Sequence, residues 1–362
     1  MALINNIPNP TYVNGTTVVG TNAPAELIPK YWAKKIWTAG RRESYFDRFM
    51  GTGSNNIIQI VTDLQKKNGD TLTIPLRLPL TGAGRTDDNK LEGFEETILH
   101  RDCSVTIHQV RHATIIEGRY AEKLTELPLR QESSEALKDW IGDYFDLGWF
   151  SILTGMPHPF MKTVTDIFPF TLDPPSANRT MYAGNWTAVN QITLADTFNT
   201  DMIITAKLKA REDPYTAIRP VKVDGRNTYV MLIHPIQARD LKADPRWIEA
   251  QQYANVRGNN NPIFTGALGV FDGIVIHEHD RVPLTDDGSG NTPVAHALLL
   301  GAQAGILAEG EQPRYVQRDF DYGNSQGYAI SRMCGMKKTS FKFDGVTDTD
   351  FGVINVMTAA VA

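Results

Sequence analysis

Residues 72–80 read LTIPLRLPL. Leu72, Ile74, Leu76, Leu78 and Leu80 alternate with Thr73, Pro75, Arg77 and Pro79, the period-two signature of a strand with one buried face. Two of the intervening residues are prolines, which cannot donate to a sheet ladder. Pro75 and Pro79 stand at positions of the same parity, so their missing N–H groups fall on one side of the strand and the other side keeps its ladder. The stretch predicts an edge strand blunted along its free side against indiscriminate pairing.

The strand runs into TGAGRTDDNKLEGFEET at 81–97, a polar tip carrying Gly82, Gly84 and Gly93. HRDCSVTIHQVRHATIIEG follows at 100–118, where Cys103, Val105 and Ile107 alternate and the pattern slips phase near Gln109, as at a bulge. Residues 70–117 therefore read as a long β-hairpin with a wide acidic tip. Arms of about ten residues reach roughly 30 Å. A two-stranded ribbon of that length is marginal alone in water and needs another surface to lie on.

Around the hairpin the pattern changes. The first 25 residues carry no charged side chain and are rich in Asn, Thr, Pro and Gly, which is the composition of an extended arm. Its scattered apolar residues, Tyr12, Val18 and Val19 among them, cannot offset an ordering cost of roughly 1–2 kcal/mol per residue. They are expected to pack at a contact with another subunit. From 26 to 50 the chain is helical in pattern and aromatic, with Lys30, Lys34, Lys35, Arg41, Arg42 and Arg48 outnumbering Glu26, Glu43 and Asp47. That excess fits a patch for an acidic partner or the solvated face of an amphipathic helix.

Beyond Pro128, Leu137, Trp140, Ile141, Tyr144, Phe145, Gly148, Trp149 and Ile152 recur at helical spacing, with Lys138, Asp139, Asp143 and Asp146 on the other face. Gly155 and Pro157 end this helix. Residues 156–190 form a Pro-, Asn- and Thr-rich connection. A second helix is expected over 194–212, opened by a Thr193–Asp196 capping box. Strands are expected at 229–235 and 269–279, with a helix near 245–256, an apolar stretch at 295–308 and short extended runs over 328–359. Helices and strands mix without a βαβ rhythm, so the fold class is α+β.

Composition excludes several functions. The 362 residues are 41% hydrophobic and 21% charged, enough for a core and about two average domains. No apolar run has the length of a membrane span, and MALINNIPNP has no secretory n-region, so the sequons at Asn14, Asn178 and Asn185 read as chance matches. Cys103 and Cys334 are the only cysteines, too few for a disulfide framework or thiolate cluster. A net charge of −5 argues against gripping nucleic acid with the whole surface.

Active-site imitations fail on spacing. His100-Arg101-Asp102 lacks the Asn that a kinase catalytic loop places five residues on, and Asp350-Phe351-Gly352 has no glycine-rich loop to serve. His277 and His279 share a strand face, as two zinc ligands would, but no third ligand is apparent. The GTGS and GAGRTD clusters lack the third glycine of a dinucleotide loop. No catalytic residue, cofactor or metal is assigned.

Taken together, GDTLTIPLRLPLTGAGRTDDNKLEGFEE, WAKKIWTAGRRESYFDRFMG, LKDWIGDYFDLGWFSILTG and the late GMKKTSFKF and DFGVINVMTAA segments resemble the major capsid proteins of tailed bacteriophages related to N-four-like phages. The similarity spans most of the chain and is weakest over 156–190. It implies the Hong Kong ninety-seven type capsid fold: an N-terminal arm with a basic aromatic helix (1–65), a hairpin E-loop (66–118), a peripheral domain with a spine helix and the Pro-rich connection (119–190), a mainly axial domain (191–310) and C-terminal strands returning to the body (311–362).

The resemblance implies self-assembly into hexamers and pentamers of an icosahedral shell around double-stranded DNA, put together in the host cytoplasm. Portal, scaffold and decoration proteins would be the partners, with weak contact to packaged DNA and none to membrane. An encapsulin-like compartment and a soluble enzyme are the alternatives. In such shells the E-loop lies on a neighbouring subunit. Arg85, Asp87, Asp88, Lys90, Glu92, Glu95 and Glu96 are then the expected contact residues, the acidic tip meeting the basic 26–48 segment of the neighbour. Lys90, the only lysine between 71 and 117, matches the type of residue that cross-links subunits in the archetype, though a solvated charge is the commoner role.

Overall fold

The computed structural model describes residues 44–65, 69–116, 118, 129–159, 168–212, 216–223, 225–253 and 268–361. The arm, with Tyr12, Val18 and Val19, lies outside the described residues, as does the basic segment before Ser44.

The body is two sheets joined by one long helix. The first sheet has the order β1 (Met50–Gly51), β2 (Ile58–Val61), β13 (Gly305–Phe320), β14 (Ser325–Lys338), β5 (His108–Ile116). The second has the order β6 (Thr180–Tyr182), β17 (Val353–Ala359), β12 (Val294–Leu300), β8 (Arg226–Ile233), β10 (Ile274–Glu278), β9 (Gly269–Phe271), with β7 (Val221–Val223) on β8 and β11 (Leu284–Thr285) on β12. The remaining pairs are β3 (Thr71–Arg77) with β4 (His100–Thr106) and β15 (Ser340–Phe341) with β16 (Thr349–Asp350). The mixture of helix and both strand polarities is the α+β class expected.

Helix α1 is Leu129–Thr154, 26 residues and so about 39 Å long. Its apolar stripe, Leu137, Ile141, Tyr144, Phe145 and Trp149, is buried against β14 and β5. Its last turn, Phe150 to Thr154, is buried all round because it drives into the junction of the two sheets. Gly155 ends it at φ 71, the left-handed conformation that closes many helices.

Strands β8 and β12 are buried on both faces, which is why VMLI and VAHALLL read as unbroken apolar runs. Val230, Leu232, Leu298 and Leu300 face the α1 core. Met231, Ile233, Ala297 and Leu299 face a second core closed by α2 (Thr200–Arg211), α3 (Pro235–Ala243) and α4 (Pro245–Tyr253).

Several expectations need correction. The hairpin arms are seven residues each, not ten, because the second run breaks at Ile107 and β5 leaves to pair with β14. The phase slip near Gln109 is a change of sheet rather than a bulge. The second helix starts at Thr200 with Asn199 as its cap. Thr193 and Asp196 instead close a turn of their own, Asp196 Oδ2 accepting from Thr193 N and Oγ1 at 2.8 Å. Helix α3 was not foreseen. The apolar stretch 295–308 divides into β12, a tight turn and the start of β13.

Asp146 is not on a solvated face. It is 5% exposed and accepts from Tyr45 N (2.9 Å) and Phe46 N (3.4 Å), so it anchors the 3-10 turn Tyr45–Phe49 to α1.

The candidate assembly loop

The β3–β4 ribbon answers the question posed by its prolines. Leu78 N–H donates to Leu99 O at 3.0 Å and Ile107 N–H to Asp70 O at 2.7 Å. With the register Thr71↔Thr106 to Arg77↔His100, the even-numbered residues of β3 direct their backbone groups at β4. Pro75 and Pro79 therefore face away from it. The free edge of β3 lacks its donors at both positions, and the paired edge loses none.

The foot of the ribbon is firmly seated. Cys103 and Val105, with Leu72, Ile74 and Leu76, pack on Ile306, Ala308 and Phe341, and Lys337 Nζ donates to Ser104 O at 3.2 Å. Beyond that foot the character changes: every residue from Pro79 to His100 is exposed.

This exposed loop is nevertheless shaped by its own contacts. Glu96 accepts from Thr81 N and Gly82 N, both at 2.8 Å, and from Thr81 Oγ1 at 3.2 Å, clasping the two sides of the loop. The Thr81 and Gly82 N–H groups hold the Glu96 carboxyl below the usual glutamate range. Thr86 O accepts from Asn89 N, closing a turn that carries Asp87 at φ 54. Glu95 accepts from Gly93 N at 2.7 Å, and Lys90 pairs with Glu92 at 2.9 Å. The Arg85 guanidinium lies 3.7 Å over the Phe94 ring. Gly84 and Gly93 have positive φ and nothing near enough to meet a Cβ, so backbone conformation rather than space requires glycine there.

The seven charged residues expected here thus share one projecting loop, but Arg85, Lys90, Glu92, Glu95 and Glu96 have partners inside it. Sequence reasoning passed over the apolar residues beside them. Leu80, Leu91, Phe94, Ile98 and Leu99 are 52–63% exposed, and the signal was present in LEGFEETIL. Counting charges hid it.

The enzyme-like motifs dissolve into structure. Asp350 is engaged by Lys338. His277 and His279 pack beside Tyr45, with ring centroids at 6.4 and 4.2 Å, and His279 Nδ1 accepts from Arg281 N. Among the described residues no three His, Cys, Asp or Glu side chains gather where they could hold a metal ion, and no helix is long and apolar enough to cross a membrane. Both cysteines are buried, and burial pushes their thiols up.

Comparison with known proteins matches this architecture over nearly its whole length. The family profile described as phage capsid protein matches residues 21–362. The major capsid protein of Pseudomonas phage KPP25 is 32% identical, over 91% of this chain and 94% of that protein. The capsid of Ralstonia phage GP4 is 30% identical, with a TM-score of 0.79 over 100% of this chain and 99% of the other. The capsid of cyanophage Pam1, at 23% identity, shares the fold with a TM-score of 0.71 over 88% of this chain and 93% of that one. A chain that aligns end to end with phage capsid subunits, and projects a self-braced loop from a two-sheet body, belongs to the phage capsid protein family and is a major capsid protein.

Proposed function

We propose that this major capsid protein assembles with itself into hexamers and pentamers of a closed icosahedral shell around double-stranded DNA, and that the 78–99 loop lies over a neighbouring copy. The observation carrying the second part is the loop itself: its residues are exposed without a break from 79 to 100, on a ribbon whose foot is anchored in the core. A net charge of −5 suits a container that must release its genome. Portal, scaffold and decoration proteins, assembly in the host cytoplasm and only weak contact with packaged DNA belong to the same reading. So does the division into arm, E-loop, peripheral and axial parts. The relatives named above are phage capsid chains.

Replacing residues 81–93 with a Gly-Asn turn tests the loop's role. The variant is expected to give a folded, soluble subunit that forms no stable shells. Normal particles seen by electron microscopy would overturn the assignment. Nuclease-protected double-stranded DNA in particles from infected cells separates a viral shell from a compartment with protein cargo.

A further inference from the structure

We propose that the loop holds its neighbour through an apolar surface made by Leu80, Leu91, Phe94, Ile98 and Leu99, with the charged residues forming a rim around it. The occupant is a second copy of this chain. The inference rests on the assembly reading above and assigns which side chains carry it.

Three observations support it. First, five of the sixteen large hydrophobic side chains exposed on the described residues are these, although the fully exposed stretch spans only residues 79–100. Such concentration marks a surface that is covered in use. Second, five of the seven charged side chains are already committed: Glu96 to Thr81 and Gly82, Glu95 to Gly93, Lys90 to Glu92 and Arg85 to the Phe94 ring. Among the described residues, every hydrogen bond made by residues 81–96 stays within the loop. The loop is therefore shaped before it docks, and its surface has no cover from its own body.

Third, a capsid chain meets other copies of itself by function, and interfaces draw their affinity from buried aromatic and aliphatic anchors, while rim charges mainly steer approach. Phe94, with Arg85 stacked on it, has the composition of such an anchor.

The buried state of Cys103 and Cys334 makes thiol labelling a direct test. Phe94→Cys and Asp87→Cys are introduced separately, and labelling by a polar maleimide is timed in folded free subunits and in shells. The Phe94→Cys thiol is expected to react at least about tenfold more slowly in shells, as for an anchor occluded by its partner, and the Asp87→Cys thiol at a rate changed by less than about threefold, as for a rim position. A Phe94→Cys chain that folds but makes no shells, beside an Asp87→Cys chain that does, also supports the proposal. Equal reactivity of the Phe94→Cys thiol in both states, or protection at 87 alone, overturns it and leaves the assembly reading standing. Failure of the unsubstituted chain to form particles overturns both, and is read separately.

Discussion

The ammonium of Lys338 lies 3.0 Å from Asp350 Oδ2, with the two side chains 1% and 5% exposed. Lys338 also donates to the carbonyls of Asp173 (3.2 Å) and Pro174 (3.4 Å), and Asp350 accepts from Ser176 N at 3.1 Å. The ends of β14 and β16 thus clamp the Pro-rich connection. Charges so enclosed are tolerated only while paired. Asp350→Ala leaves a buried ammonium facing two carbonyls and is expected to cost about 3–5 kcal/mol in urea unfolding of the free subunit. A loss below about 1 kcal/mol, the range of an exposed pair, would show that the clamp has no such role.

Acid sensitivity is built into the second sheet. His296 is 1% exposed on the central strand β12, with Thr285 Oγ1 at 2.9 Å from its Nε2, and burial pushes its pKa down from 6.5 to about 4. The unfolded chain then binds a proton that the folded chain refuses. The penalty is absent above the unfolded value, grows as pH falls through 6.5 and is complete below about 4. At pH 5 it amounts to about 2 kcal/mol. His296→Gln keeps a partner for Thr285 and removes the titration. Its unfolding free energy is expected to fall less than that of the unsubstituted chain between pH 7 and pH 5, and identical slopes would refute the assignment.

Pro75 and Pro79 make a prediction about solubility. Restoring their N–H groups with Pro75→Thr and Pro79→Thr completes the outward ladder of β3 and creates an edge open to pairing. Free subunits of the double variant are expected to self-associate through that edge, giving thioflavin-positive aggregates at concentrations where the unsubstituted subunit sediments as a single species. A variant as soluble as the original would mean that the prolines serve only the shape of the strand.

What the sequence showed and what it concealed follow from the reach of each interaction. Periodicity exposed α1, β3 and β4, since their buried faces recur every two or three to four residues, and an unbroken apolar run exposed β8. It could not show that β5 abandons the hairpin for β14, because the partner lies some two hundred residues away. The long pair β13–β14 escaped for a related reason: register shifts at Glu309, Glu311 and Arg314 break its alternation, and its outer half is polar. Asp146 looked solvated because its acceptors' partners, the Tyr45 and Phe46 N–H groups, lie a hundred residues upstream. In the loop, the charged residues fall together on one exposed segment, but the pairing of five of them within it is a matter of backbone geometry that spacing does not encode.

Glu96 provides the last test, because it has a role inside the loop that its charge alone does not reveal. Expected as a contact to a neighbour, its carboxylate bridges to Thr81 and Gly82 across the loop. The bonds to these N–H groups lower its pKa, so the clasp is intact at neutral pH and opens as pH falls through that lowered value, not through the ordinary 4.5. The amide resonances of Thr81 and Gly82 in the free subunit are therefore expected to titrate together with one midpoint below 4.5. Glu96→Ala should abolish that titration and speed hydrogen exchange at both amides, while the thermal midpoint of the body stays unchanged because no core residue touches the clasp. It should also slow shell formation, since a loop that is not pre-shaped must be ordered on docking. A midpoint at or above 4.5, or amides indifferent to the substitution, would show that Glu96 is free to meet a neighbour after all.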